Sequence, residues 1–294
     1  MAPIFNLNNT VLFEYSPLQA ILICFSMAVI YVGSLYVWTK GNKARDHPDT
    51  IKGRFVRVTI VCLLVFPALR IMATDSHSIK AQNIFTWVGI RLSGYVTSLV
   101  LPLILTMVLF LGPLVLHYMD GIFHLYAEKQ YWVSSLRNLM WIRNHIMAPI
   151  TEEFIFRACM MPFLVPTIGE GAAVFVCPLF FGIAHIHHLR EKLEDGTQLK
   201  VALFQCLFQF SYTTVFGAYS AFLFLRTGHL AAPVVAHAFC NHMGFPDFQE
   251  VRAYKKPARY YIVASFILGV ILWYYMLYPL TQPWIYDNDL YELS

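Results

Sequence analysis

Ile146-Met-Ala-Pro-Ile-Thr-Glu152-Glu153-Phe-Ile-Phe-Arg157-Ala-Cys-Met-Met-Pro162 is an apolar stretch with two adjacent carboxylates near its middle. Every other acidic residue of the chain falls in a polar connection or near a chain end. A carboxylate at the centre of a membrane helix costs about 2.5–3.5 kcal/mol even on lenient insertion scales. Two in a row, with an arginine one turn later, therefore mark a functional site by default.

The surroundings of that stretch decide the fold class. Of the 294 residues 58% are hydrophobic and 13% charged, against about 25% charged in soluble domains, and the mean hydropathy is +0.56. The apolar residues cluster in blocks of bilayer-spanning length. Eight are legible, at about 17–38, 55–73, 86–116, 134–165, 171–189, 199–226, 229–245 and 257–280. Because the blocks are continuous rather than alternating, a β-barrel is disfavoured. The expectation is an all-α, polytopic integral membrane protein of about eight transmembrane helices around a polar intramembrane cavity. It forms one domain over residues 1–294, with a catalytic core at about 134–245. The blocks 86–116 and 134–165 exceed one perpendicular span and must tilt, start on the membrane surface, or kink at Pro102, Pro113 or Pro149. The block at 229–245 is short enough to be partly re-entrant.

Most of the 21 basic residues lie in alternate connections, including Arg45, Arg54, Arg143, Lys192 and Arg252. The positive-inside rule puts these connections in the cytosol and both chain ends outside. An Asn8-Asn9-Thr10 sequon and the acidic C-terminus with Glu292 agree weakly. The first block lacks a basic leader and a small-residue cleavage site, so it reads as a retained helix. The six cysteines lie within or beside apolar blocks without a CxxC pair, and read as small buried hydrophobes.

Helical spacing divides the two glutamates. Glu153 and Arg157 are four apart, share a face and can form an ion pair. Glu152 points about 100° away and lacks that partner. It is the freer carboxylate, suited to general-base or general-acid work. His185 follows Phe181 by four residues, whereas His187 and His188 lie closer to the cytosolic exit. His237 and Asn241 are again four apart, and both can donate to one developing oxyanion. His229 and His242 do not share that face. Together these groups suggest peptide hydrolysis by an activated water, without a nucleophilic Ser or Cys. Zinc is the competing chemistry, since two His and one Glu make a catalytic set. No HExxH turn is present, however, and Asn is a poor zinc ligand, so neither metal nor cofactor is expected. A non-catalytic membrane scaffold and a proton-relay transporter stand as further alternatives. The transporter reading lacks the internal repeats common in that class. Phe204, Phe208, Phe210, Tyr212 and Phe216 either pack in the core, the favoured reading, or line a lipid-side entrance.

Glu152-Glu153-x-x-x-Arg157, Phe181-x-x-x-His185 and His237-x-x-x-Asn241, in this order and spacing, resemble the three motifs of the CAAX prenyl endopeptidase family, the type II CAAX proteases. The Arg45-Asp-His-Pro48 stretch resembles the eukaryotic branch. The resemblance implies an endoplasmic reticulum protease, open to the cytosol, that removes the last three residues of farnesylated or geranylgeranylated CAAX proteins such as Ras-like GTPases. It also implies that Glu152 and His185 activate the water while His237 and Asn241 hold the oxyanion, with Glu153, Arg157 and Phe181 in support. The other expected partner is the lipid bilayer; nucleic acid is not expected.

Overall fold

A computed structural model describes residues 9–37, 44–78 and 81–291, except the side chains of His187, His188, Arg190 and Glu194. Asn8 of the sequon, Lys40, Lys43, Lys80 and Glu292 lie outside the described residues, as do the imidazoles of His187 and His188.

The chain is helical almost throughout. Helix α1 (Pro17–Ser34) opens on a capping box: the Ser16 hydroxyl accepts from the Gln19 amide, and the Gln19 carboxamide accepts from the Ser16 amide. This satisfies two otherwise orphaned donors. Helix α2 (Pro48–Met72) begins on a proline, with the His47 imidazole accepting from the Asp49 amide. Helices α3 (Tyr95–Leu109) and α4 (Leu111–Met119) follow, bent 75° from each other. The bend has a local cause at one of the expected prolines. Pro113 has no amide to give to the Leu109 carbonyl, and its ring crowds that position.

The next apolar block folds as a rod in which α and π turns alternate. It contains α5 (Ala148–Glu153) and α6 (Met161–Ile168), and leads into α7 (Glu170–Ala184). After a polar excursion come α8 (Leu199–Thr227), α9 (Ala231–Met243) and α10 (Ala258–Leu280). Helix α7 packs lengthwise along α8, α9 crosses α3, and α10 covers α3 and α4.

Among the described residues four helices are long and apolar enough to cross a membrane: α1, α2, α8 and α10. The bent pair α3–α4 makes a fifth if it counts as one span. The eightfold division of the sequence is therefore not reproduced by helix length. The blocks at 171–189 and 229–245 fold into helices of 15 and 13 residues. Both pack on longer neighbours, while α7 keeps one apolar face, Phe175, Leu179 and Ile183, exposed. The outward faces of the long helices carry exposed Leu63, Val215 and Tyr275, as a surface bathed in hydrocarbon does.

The two ends of the bundle differ. At one end β1 (Thr10–Leu12) lies between β2 (Thr74–Asp75) and β3 (Gln82–Asn83) in a small antiparallel sheet, the only departure from the all-α expectation among the described residues. Phe13, Trp87, Phe224, Tyr286 and Tyr291 pack beneath it, all essentially buried. The C-terminal segment closes the same end. Asn288 donates to the Leu225 and Arg226 carbonyls at the end of α8, and Arg91 donates to the Tyr286 carbonyl. The opposite end gathers Arg45, Arg54, Arg143 and Glu191, and a cleft opens there.

Candidate active site

The glutamate pair sits on the last turn of α5, between two π-helical stretches, Arg143–Met147 and Phe154–Cys159. Such turns are frequent at functional sites, where they re-aim side chains at the cost of regular hydrogen bonding. Here the cost is partly met from neighbouring helices. The Cys177 thiol donates to the Phe156 carbonyl and the Cys24 thiol to the Met160 carbonyl. These two cysteines are thus more than the small hydrophobes expected of them. All six thiols are free. From α1, the Tyr31 hydroxyl meets the Thr151 hydroxyl at 2.9 Å, fixing α5 from another side.

Glu153 and Arg157 form the expected pair at 3.2 Å, both fully buried. Spacing along one helix does not reveal the rest of the arrangement. Glu153 also accepts from the Ser220 hydroxyl of α8 and from His237 Nδ1 of α9, at 2.7 Å. The carboxylate thus binds three other helical segments. Ser220 was missed in the sequence, although Thr213, Gly217 and Ser220 recur at i, i+4 and i+7 and form a small, polar, buried stripe on α8. A Cβ at Gly217 would stand 2.9 Å from the Pro178 side chain and 3.0 Å from Arg157 Nη2. Only glycine lets α7, α8 and the arginine meet so closely.

Glu152 is not left without a neighbour, as helix geometry alone implied. Its Oε2 lies 3.7 Å from His237 Nε2, so the imidazole stands between the two carboxylates. The contact with Glu153 is a hydrogen bond; that with Glu152 is too long for one and leaves space at the carboxylate. Because Nδ1–H is given to Glu153, Nε2 can donate to a third group only from the imidazolium.

His185 enters from the end of α7. Its Nδ1 stands 2.7 Å from the Phe181 carbonyl. A carbonyl only accepts, so the proton is on Nδ1 and Nε2 carries the lone pair of a base. Phe181 is the hub of the site: its ring meets His185 edge-on at 4.7 Å and His237 at 6.1 Å, and it receives the Arg157 guanidinium on its face at 4.4 Å. Glu152 and His185 line one cleft, open toward the arginine-rich end, together with Phe181, Thr151 and Asn144. Asn241 stands at its border. The Asn241 side chain is exposed, and its Nδ2 donates to the Asn144 carbonyl at 2.8 Å, leaving that nitrogen a second hydrogen to give.

The remaining histidines lie elsewhere. His229 is buried at the closed end beside Arg91, and His242 bonds Tyr126 at 2.9 Å. Of the aromatic run on α8, Phe204, Phe208 and Tyr212 are exposed, which overturns the favoured core-packing reading for them. Phe216 packs on His237 at 5.0 Å. Among the described residues no three His, Cys, Asp or Glu side chains form a metal-ligand group.

Comparison with known proteins agrees with the motifs. The profile of the family described as type II CAAX prenyl endopeptidase Rce1-like matches residues 134–243, which hold the whole constellation. CAAX prenyl protease 2 of Homo sapiens is 46% identical over 274 residues, covering 90% of this chain and 82% of the relative. The protein of the same name from Rattus norvegicus is 41% identical, covering 90% and 80%. That from Arabidopsis thaliana is 34% identical, covering 92% of both. No solved structure matches the chain. With animal and plant relatives alike over some nine tenths of its length, the chain belongs to the Rce1-like family of type II CAAX prenyl endopeptidases.

Proposed function

We propose that the protein hydrolyses the peptide bond after the prenylated cysteine of farnesylated or geranylgeranylated CAAX proteins, Ras-like GTPases among them, releasing the last three residues. The observation that carries this reading is the position of His237 between the buried Glu153 and the cleft-facing, partly exposed Glu152, with His185 on the wall of the same cleft. Glu152 and His185 Nε2 hold a water and take its proton as its oxygen attacks the scissile carbonyl. The proton passes to the leaving amine as the carbon–nitrogen bond breaks. His237, oriented by Glu153, and Asn241 donate to the oxyanion between these steps. Glu153, Arg157 and Phe181 touch no reacting atom; they fix the imidazoles. The whole chain acts as one domain, in the endoplasmic reticulum membrane, with the arginine-rich end in the cytosol. A lipid-soluble isoprenoid reaches such a site sideways from the bilayer, past the exposed aromatic residues of α8, while the peptide enters from the cytosolic end.

A farnesylated CAAX peptide with a fluorescent donor and quencher tests this reading on the full-length protein in lipid vesicles. Tripeptide release is expected from the wild type and not from His185→Ala or His237→Ala. A wild type that leaves the peptide intact refutes the reading. Exhaustive chelation tests the water-activation mechanism. Activity is expected to survive with no zinc found by elemental analysis. Loss of stoichiometric zinc together with activity assigns water activation to a metal instead. Asn241→Ala is expected to lower kcat by about 10²–10³-fold if Nδ2 serves the oxyanion. A change confined to KM makes Asn241 a substrate-positioning residue.

A further inference from the structure

The cleft that holds Glu152 and His185 is also lined by three guanidinium groups that the hydrolytic chemistry does not use. They come from three places in the chain: Arg45 just before α2, Arg54 within α2, and Arg143 at the first π turn. Among the described residues two acids answer these three cations, and neither lines the cleft. Asp46 holds Arg143 at 2.8 Å, while Glu191 is shared by Arg45 at 3.6 Å and Arg54 at 3.4 Å. The two Glu191 distances exceed the 2.7–2.9 Å or so of a close charge-assisted bond. Arg54 Nε is buried and has no hydrogen-bond partner. Asp46, Glu191 and, in the same cleft, Glu152 balance the three charges, but donor capacity remains: besides the unbonded Arg54 Nε, Arg143, which gives Nε to Asn144 and Nη1 to Asp46, keeps Nη2. Guanidinium groups in this state suit a carboxylate, which they bind through two parallel bonds.

Distance adds a second argument. Arg143 and Glu152 lie on the same helical rod, nine residues apart. At 1.5 Å per residue that separation is about 13 Å, and less where the rod is π-helical. Side chains on a helix lean toward its N-terminus, so the Glu152 carboxylate and the Arg143 guanidinium are displaced in the same direction and their spacing stays near that of the backbone. Three extended residues span about 10 Å. A peptide whose scissile carbonyl stands at Glu152 thus brings the terminal carboxylate of its third following residue to the arginines.

We propose that Arg143 and Arg54, with Arg45 at the rim, bind the free C-terminal carboxylate of the substrate and so place the cut three residues from its end. The proposal rests on the endopeptidase reading given above. The peptide is measured from its charged terminus, and a neutral terminus loses its anchor.

The test compares two farnesylated peptides of one sequence, one ending in a free carboxylate and one in a carboxamide, on the full-length protein in lipid vesicles. For the wild type, kcat/KM is expected to fall about 10–100-fold on the amide, chiefly through KM. Arg143→Gln and Arg54→Gln are expected to bring the acid peptide down toward the amide value while leaving the amide value within about twofold. Arg143→Lys should recover part of the loss. Equal cleavage of acid and amide by the wild type overturns the proposal but not the hydrolase reading, and this comparison needs no variant to fold. Arginine variants that slow both peptides equally also overturn it, since the arginines would then act on the fold. If the wild type cuts neither peptide, both readings fall.

Discussion

Glu152→Gln is expected to lower the turnover of a farnesylated CAAX peptide by about 10²–10⁴-fold, the range that general acid–base catalysis supplies, while the thermal midpoint of the solubilised protein stays within about 2 °C of wild type. The two halves of this result have separate causes. The nearest ionisable partner of the Glu152 carboxylate is His237 Nε2 at 3.7 Å, beyond hydrogen-bond range, so little of the fold hangs on it. The same carboxylate faces the cleft, and glutamine keeps its shape while losing its basicity. Measuring kcat by tripeptide release and the midpoint by thermal unfolding on one preparation checks both halves. Turnover within threefold of wild type removes Glu152 from the mechanism.

The adjacent residue should behave in the opposite way. Glu153→Gln leaves the Arg157 guanidinium charged, fully buried and without its counter-ion, and it removes the acceptor that orients His237. Breaking a buried pair from one side costs about 3–5 kcal/mol, so this variant should be both inactive and markedly less stable. Arg157→Met should lose stability to a similar extent, with Glu153 as the stranded charge. The double variant Glu153→Gln/Arg157→Met is expected to recover part of that stability, because no lone charge is left behind, yet to remain inactive, because His237 still lacks its carboxylate. Denaturation of all three variants beside wild type separates the contributions. A Glu153→Gln protein as stable as wild type contradicts the buried-charge account, and an active double variant contradicts the role given to the Glu153–His237 bond.

Much of this site was legible in the residues, since the relations within one helix depend on spacing alone. The Glu153–Arg157 pair and the Phe181–His185 turn follow from four-residue separations and are found as hydrogen-bonded contacts. The relations between helices were not legible. No spacing says that the Glu153 carboxylate reaches His237 on α9 and Ser220 on α8, or that Arg54 of α2 shares a cleft with Glu152. The π turns escape for a similar reason. They differ from α turns by less than one residue per turn, and here the choice is met by hydrogen bonds from Cys24 and Cys177, which lie far away in sequence. Hydropathy registers an apolar environment without telling lipid from protein, and helix length by itself supports four or five of the eight blocks as spans among the described residues. The helices in the blocks at 171–189 and 229–245 are only 15 and 13 residues long, yet the first still turns Phe175, Leu179 and Ile183 outward as an apolar stripe.

The sheet and the C-terminal segment seal one end of the bundle with Phe13, Trp87, Phe224, Tyr286 and Tyr291. Among the described residues that end is filled by packed aromatic rings. On the proposed function, the released tripeptide, charged at both ends, leaves through the mouth by which the next substrate tail arrives. Incoming and outgoing traffic then share one passage, so a lingering fragment holds up the following turnover.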